Sequence, residues 1–193
     1  MRERLPADMK IVSEDYLKQA ETDFLPILTR IRAAKPDAIA TYVLDQQAAN
    51  LMKQYLQFGM SIPLVGRPPL GSGVVAELVK TGKFDGSWTV YPYYDRFANP
   101  KNAAFTQAYV ARYRQAPHYA GWGVYEGVKV YADAVKRAGS TDGAKVRDAL
   151  EKSNYDAILG PMRFDAHHQA GIRMMWIVVE KGTPTVKELV AAK

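Results

Sequence analysis

Apolar positions along this chain switch between two spacings, short runs of β-type residues and longer stretches with a period of three to four. Lys10 to Tyr16 reads as a first strand, after which Phe24, Ile27, Leu28 and Ile31 recur at helical spacing until Pro36 ends the helix. Ala38 to Val43 is a second strand. Asp45 is placed to cap a helix whose buried stripe is Leu51, Met52, Tyr55 and Leu56, closed by Gly59 at the left-handed position beyond its end. Ile62 to Val65 reads as a short buried strand and Gly66 to Gly73 as a loop. Val74 to Lys80 then predicts a helix stopped by Gly82, followed by an aromatic fourth strand from Trp88 to Tyr93.

Past Asn99-Pro100 the pattern turns to consecutive helices. Phe105, Tyr109 and Tyr113 mark one, while Trp122, Tyr125, Val128, Ala132 and Val135 mark a longer one ending at Gly139. A third, with Val146 and Leu150 inward, starts after the capping residues Ser140-Thr141-Asp142. The tail returns to β structure: Ile158 to Phe164, a turn from Asp165 to Gly171, and the apolar run Met174 to Val179. Strands alternating with helical periods imply an α/β sheet with crossover helices, and the lack of an internal repeat excludes a solenoid.

Composition narrows the picture. The 193 residues suffice for one ordinary domain or two small lobes, and 48% hydrophobic with 24% charged residues is ordinary globular usage. With no cysteine, disulfides, a thiolate nucleophile and a Cys-ligated zinc site are excluded. The net charge of +6 invites an anionic partner, but the cations are spread, the tightest groups being Arg30/Arg32/Lys35, Arg112/Arg114 and Lys136/Arg137. No basic stripe interleaves with aromatics, so no nucleic-acid partner is expected. No run approaches the roughly 18 apolar residues of a membrane span, and Met1-Arg2-Glu3-Arg4 begins no secretory signal, so either the chain is cytoplasmic or its beginning is missing.

Catalytic signatures are weak. Gly71-Ser72-Gly73 lacks the Lys-Ser/Thr ending of a phosphate loop, and Ser72 lacks the Gly-x-Ser-x-Gly setting of a nucleophile. Asp165, His167 and His168 read as a solvated hairpin turn, because adjacent residues on an extended segment face opposite ways and do not chelate together. Neither a nucleophile with its base nor paired carboxylates at catalytic spacing are visible, so no metal and no cofactor is expected. The unusual feature is a set of polar aromatics at strand ends: Tyr42 after the second strand, Arg67 after the third, and Tyr91, Tyr93 and Tyr94 after the fourth. Ligands of open α/β sheets bind outside the carboxyl ends of the strands, so these residues either line a ligand rim or simply cover the sheet edge.

Several ordered motifs then carry a resemblance. They are Thr22-Asp23-Phe24, Ala33-Ala34-Lys35-Pro36-Asp37-Ala38-Ile39, Ala48-Ala49-Asn50-Leu51-Met52-Lys53-Gln54, Ala138-Gly139-Ser140-Thr141-Asp142 with Val146-Arg147-Asp148-Ala149-Leu150, and Gly160-Pro161-Met162-Arg163-Phe164-Asp165. In this order, from about residue 10 to 180, the chain resembles the branched-chain amino-acid (leucine-binding-protein-like) type I periplasmic solute-binding proteins of ABC importers, C-terminal half only. The resemblance implies an α/β fold with a flavodoxin-like parallel sheet in three α/β/α layers. It gives an incomplete C-terminal lobe over residues 1–94, helices belonging to the N-terminal lobe over 95–157, and return strands across the hinge over 158–193. In the strand order 2-1-3-4-5 the strand between Lys10–Tyr16 and Ala38–Val43 is missing, so the two are expected either to pair directly or to have the gap filled by a second copy, as a homo-oligomer or strand swap.

The resemblance also implies site positions. Tyr42 and Asp45 fall in the loop that touches ligand, Arg67 falls where amino-acid-binding members place an acid for the α-ammonium, and Tyr119 and Trp122 fall near the hinge and cleft wall. With Tyr91 and Tyr93 these are the candidate ligand-binding residues. Gly66 to Ala76 contains no acid, so a carboxylate, an aromatic acid or a neutral amide fits Arg67 and the tyrosines better than a plain branched-chain amino acid. The function implied is non-catalytic binding of a small molecule, delivered to a membrane permease from the periplasm. The alternatives are a ligand-sensing regulatory module of the same fold or a small α/β enzyme.

Overall fold

The computed structural model describes residues 5–18, 20–43 and 45–191. Helix α1 (Leu25–Ala34) and helix α2 (Asp45–Gln57) flank strand β1 (Ile39–Tyr42) in sequence. Pro26 in the first turn supplies a preset φ for α1, and Lys35 closes it in the left-handed conformation. The two helices are tied where the Phe24 N–H donates to Gln54 Oε1 at 2.8 Å. Strand β2 (Leu64–Arg67) pairs parallel with β1 in the register Ile39 to Leu64 through Tyr42 to Arg67. A 3-10 turn (Gly73–Val75) capped by Ser72 leads into the short helix α3 (Ala76–Val79).

Strand β3 (Trp88–Tyr91) lies beside β2, and the Leu64 N–H donates to Ser87 Oγ across that boundary at 3.0 Å. Three helices follow: α4 (Pro100–Tyr113), α5 (Tyr119–Ala138) and α6 (Gly143–Glu151). Strands β4 (Tyr155–Ala157) and β5 (Gly160–Met162) form a small antiparallel pair, and β6 (Arg173–Glu180) runs antiparallel to both β3 and β7 (Thr183–Ala191). Apolar burial forms two main centres. Phe24, Leu28, Met52, Tyr55, Leu64, Val75, Val79 and Phe84 pack one end, and Tyr91, Tyr93, Phe105, Trp122, Ile158, Met175 and Ile177 the other. Each such side chain contributes about 1.5–3 kcal/mol on burial.

Several expectations shift. Lys10 to Tyr16 forms no strand, and it does not pair with β1. A strand needs a ladder neighbour and a covered face, and this segment has neither. The strand expected at Ile62 to Val65 sits two residues later, taking Gly66 and Arg67 out of the predicted loop. Asp45 is the first helical residue of α2 rather than the residue before it, and its side chain lies outside the described part. The helix expected over Val74 to Lys80 begins as the 3-10 turn, and the strand expected over Trp88 to Tyr93 ends at Tyr91. Ile158 to Phe164 is not one strand: Ile158 and Leu159 turn the chain from β4 into β5, whose first residue, Gly160, has φ +108°. Sequence reasoning missed β7, whose Pro184, Lys187 and Glu188 obscure its period. Its hairpin with β6 turns through Lys181 and Gly182, both at positive φ, and a Cβ on Gly182 would come within 2.8 Å of the Lys80 carbonyl oxygen.

Candidate functional site

The register of β1 and β2 sets Tyr42 opposite Arg67 at the carboxyl ends of two parallel strands, where α/β sheets present their ligands. The Arg67 Nη1–H donates to Tyr42 Oη at 2.8 Å, and the guanidinium carbon lies 5.1 Å from the Tyr42 ring centre and 5.9 Å from that of Tyr91. Tyr91 closes β3 and meets the ring of Tyr119 edge-on, with centres 5.6 Å apart at 84°. Because Tyr119 opens α5, the positive end of a 20-residue helix arrives beside the same aromatic group. The His118 ring nitrogen accepts from the Ala120 N–H and caps that end. Tyr42, Arg67, Tyr91 and Tyr119 therefore form one continuous line, contributed by three strand ends and a helix start.

Tyr42 is 72% exposed, Arg67 and Tyr119 are half-buried, and Tyr91 is buried, so the line runs from solvent inwards. Among the described residues Arg67 has no carboxylate partner, and its hydrogen bond goes to Tyr42. Planar guanidinium beside aromatic faces matches a carboxylate on an apolar or aromatic body: two parallel N–H donors for the oxygens, ring surfaces for the rest.

Tyr93 and Trp122 take a different place. They stack at 5.5 Å and 11° inside the second core, with Phe105 edge-on to Tyr93 at 6.1 Å. The Tyr93 hydroxyl pairs with Thr106 Oγ1 at 3.2 Å, and burial pushes its pKa up to about 12. Both residues support the wall behind the line rather than its surface. Tyr94 is likewise buried.

One buried carboxylate was not anticipated. Glu126 lies one turn beyond Trp122 on α5 and is 2% exposed. Its Oε1 accepts from the Ile158 N–H at 2.9 Å, joining α5 to the return segment, whereas Oε2 has no partner among the described residues. Burial raises its pKa, opposed by the Ile158 hydrogen bond and by Lys129 and Lys101. The signal was present in sequence, since Glu126 shares its helical face with Trp122 and Val130.

The remaining candidates settle into structural roles. Ser72 Oγ accepts from the Val74 N–H at 3.3 Å, and Asp165 Oδ1 accepts from the N–H groups of His167 and Gln169 to shape the expected turn. Among the described residues no group of three His, Asp or Glu is placed to hold a metal ion, and no helix is long and apolar enough to cross a membrane.

The sequence model of the family described as periplasmic binding protein matches residues 6–183. A leucine-, isoleucine-, valine-, threonine- and alanine-binding protein of Pseudomonas aeruginosa is 21% identical over 159 residues, which are 82% of this chain and 42% of that protein. Among solved structures, an amino acid ABC transporter substrate-binding protein from Pseudomonas fluorescens Pf-5 superposes with TM-score 0.81 at 22% identity, covering 97% of this chain and 53% of the other. A solute-binding protein of an ABC transporter from Rhodopseudomonas palustris BisB5, in complex with 3,4-dihydroxybenzoic acid, superposes with TM-score 0.72 at 25% identity, covering 90% and 49%. The chain spans about half the length of these relatives. With the family model covering nearly its whole length and the type I fold recurring in its structural neighbours, the chain belongs to the periplasmic binding protein family.

Proposed function

We propose that this chain supplies one wall of an extracytoplasmic receptor for small organic carboxylates, aromatic acids foremost, which it binds without transforming and presents to the permease of an ABC importer. The observation that carries the reading is Arg67, held by Tyr42 and flanked by Tyr91, with no acid from Gly66 to Ala76. Arg67 would take the carboxylate in a two-point contact, with Tyr42, Tyr91 and Tyr119 against the ring. Tyr93 and Trp122 would hold that wall in place, and Asp45 would border it from the start of α2. Residues 1–94 would form this wall, the helices of 95–157 would belong to the facing lobe, and 158–193 would return across the hinge. Closure of the two lobes on the ligand would then supply the affinity. The relative bound to 3,4-dihydroxybenzoic acid supports the aromatic class.

The names of the other relatives favour a second reading, an amino acid. An α-ammonium needs an acceptor, and Arg67 is the opposite charge to one. Thermal unfolding with benzoate, 3,4-dihydroxybenzoate and leucine separates the two. A ligand at a hundred times its Kd adds about 2.7 kcal/mol, a rise of about 5–11 °C in Tm for a chain of this size. Aromatic acids should produce that rise in the native sequence and not in Arg67→Ala. A rise with leucine alone would replace this reading by the amino-acid one.

A further inference from the structure

The backbone just before Arg67 is unusual. Gly66 lies inside β2, paired with Thr41 of β1, yet its φ is +90°. Residues of a parallel strand have φ near about −120°, and the region Gly66 occupies suits glycine and costs any residue with a side chain. Space is short there as well. A Cβ on Gly66 would come within 3.3 Å of the Thr41 carbonyl oxygen and 3.7 Å of the Thr41 nitrogen, both backbone atoms of the paired strand. A second glycine of the following segment lacks these constraints: Gly73 opens the 3-10 turn outside the left-handed region, and a Cβ there meets nothing within 4 Å.

The consequence falls on Arg67. The dihedral at Gly66 sets the direction in which the chain enters Arg67, and so where its side chain begins. From that start the guanidinium donates to Tyr42 Oη at 2.8 Å and lies 5.1 Å from the Tyr42 ring centre and 5.9 Å from that of Tyr91. Ordinary strand dihedrals at position 66 would rotate the peptide between Gly66 and Arg67 and carry that start elsewhere. The pairings of Leu64 with Ile39 and of Val65 with Ala40 precede the turned residue and do not depend on it.

We propose that Gly66 is a positioning residue for Arg67. Its left-handed backbone, closed against Thr41, holds the guanidinium across Tyr42 and towards Tyr91 before any ligand arrives, so that binding a carboxylate does not have to order it. The benefit to ligand rests on the carboxylate reading of this site, whereas the placing of Arg67 does not.

Gly66→Ala in the full 193-residue chain tests this with two readouts. The first is nuclear magnetic resonance without ligand. In the native chain the neighbouring rings should shift the Arg67 side-chain protons upfield of free arginine. Gly66→Ala should return them to the free position, and Gly73→Ala should leave them in place. The second is calorimetric titration with benzoate. Arg67→Ala should weaken binding about 10- to 100-fold. Gly66→Ala should approach that loss, and the double variant should bind no more weakly than Arg67→Ala alone. A glycine that only supported the fold would weaken binding equally with and without Arg67, so additive losses overturn the proposal. So do Arg67 resonances that Gly66→Ala leaves unmoved, or that already lie at the free position in the native chain. Resonances that move as expected, with benzoate binding absent or indifferent to Arg67→Ala, uphold the positioning and overturn the carboxylate reading instead. Circular dichroism checks folding. Gly66→Asn, which enters left-handed backbone at lower cost, replaces the alanine variant if that one does not fold and is read in the same way.

Discussion

Replacing Glu126 by Gln probes the one buried carboxylate among the described residues of the helix layer. Glutamine keeps the shape and the oxygen that accepts the Ile158 N–H at 2.9 Å, but has no proton to lose. In the native chain burial raises the Glu126 pKa above 4.5. A group whose folded pKa is raised contributes stability that is complete below the unfolded value and is lost as pH rises through the folded one. Every unit of that rise is worth about 1.36 kcal/mol. The native chain should therefore lose stability relative to Glu126→Gln as pH climbs above 4.5, with the difference levelling off once the folded carboxyl has ionised. Below pH 4.5 a constant offset remains, set by the buried amide. Glu126→Ala separates the hydrogen bond from the charge, because it strands the buried Ile158 N–H at a cost of about 1–3 kcal/mol, a fall of about 2–12 °C in Tm. The assay is thermal unfolding of the three proteins between pH 4 and 8, monitored by circular dichroism. A native-minus-Gln difference that is flat across this range, or that favours the native chain increasingly at high pH, would refute the reasoning and mean that the carboxylate is ionised and paired.

Trp122→Ala should cost about 3–5 kcal/mol, because it empties the centre of the second core, and a double-mutant cycle with Tyr93→Leu should show a coupling of about 0.5–1.5 kcal/mol from the 5.5 Å stack. Additive unfolding energies would deny the stack a role of its own. Gly182→Ala should destabilise by more than about 1 kcal/mol in chemical denaturation, since the new methyl meets the Lys80 carbonyl and the backbone stays at φ +69°. A neutral result would mean that the β6–β7 turn relaxes freely. Tyr42→Phe removes the hydroxyl that holds Arg67 while keeping the exposed ring, so calorimetry with an aromatic acid should show affinity weakened about 2- to 10-fold with Tm unchanged; an unchanged Kd would detach Tyr42 from the site.

Helices were readable because their signals are local. Asn99 before Pro100, Asp142 before Gly143, and Gly139 at φ +59° fix the ends of α4, α5 and α6 through side-chain caps and a left-handed stop. Parallel β1 and β2 were legible for the same reason, framed by helix stops and prolines. The failures involve partners distant in sequence. Lys10 to Tyr16 has a strand's composition, yet composition cannot supply the ladder neighbour that a strand requires. β7 lacks a clean period because an edge strand carries proline and charge for protection, which erases the alternation that marks it.

The candidate site divides likewise. Sequence alone placed Tyr42, Arg67 and Tyr91 at strand ends, with no acid from Gly66 to Ala76. Only tertiary packing decided that Tyr119, 28 residues beyond Tyr91 in the chain, meets it edge-on at 5.6 Å, while Tyr93, two residues away, turns inward to stack on Trp122. It also decided that Glu126 sits buried and accepts the Ile158 N–H. Local sequence sets which residues can sit at a strand end or on a helix face, but which of them share a surface depends on how the layers close over one another, and that is fixed by burial summed over the whole chain.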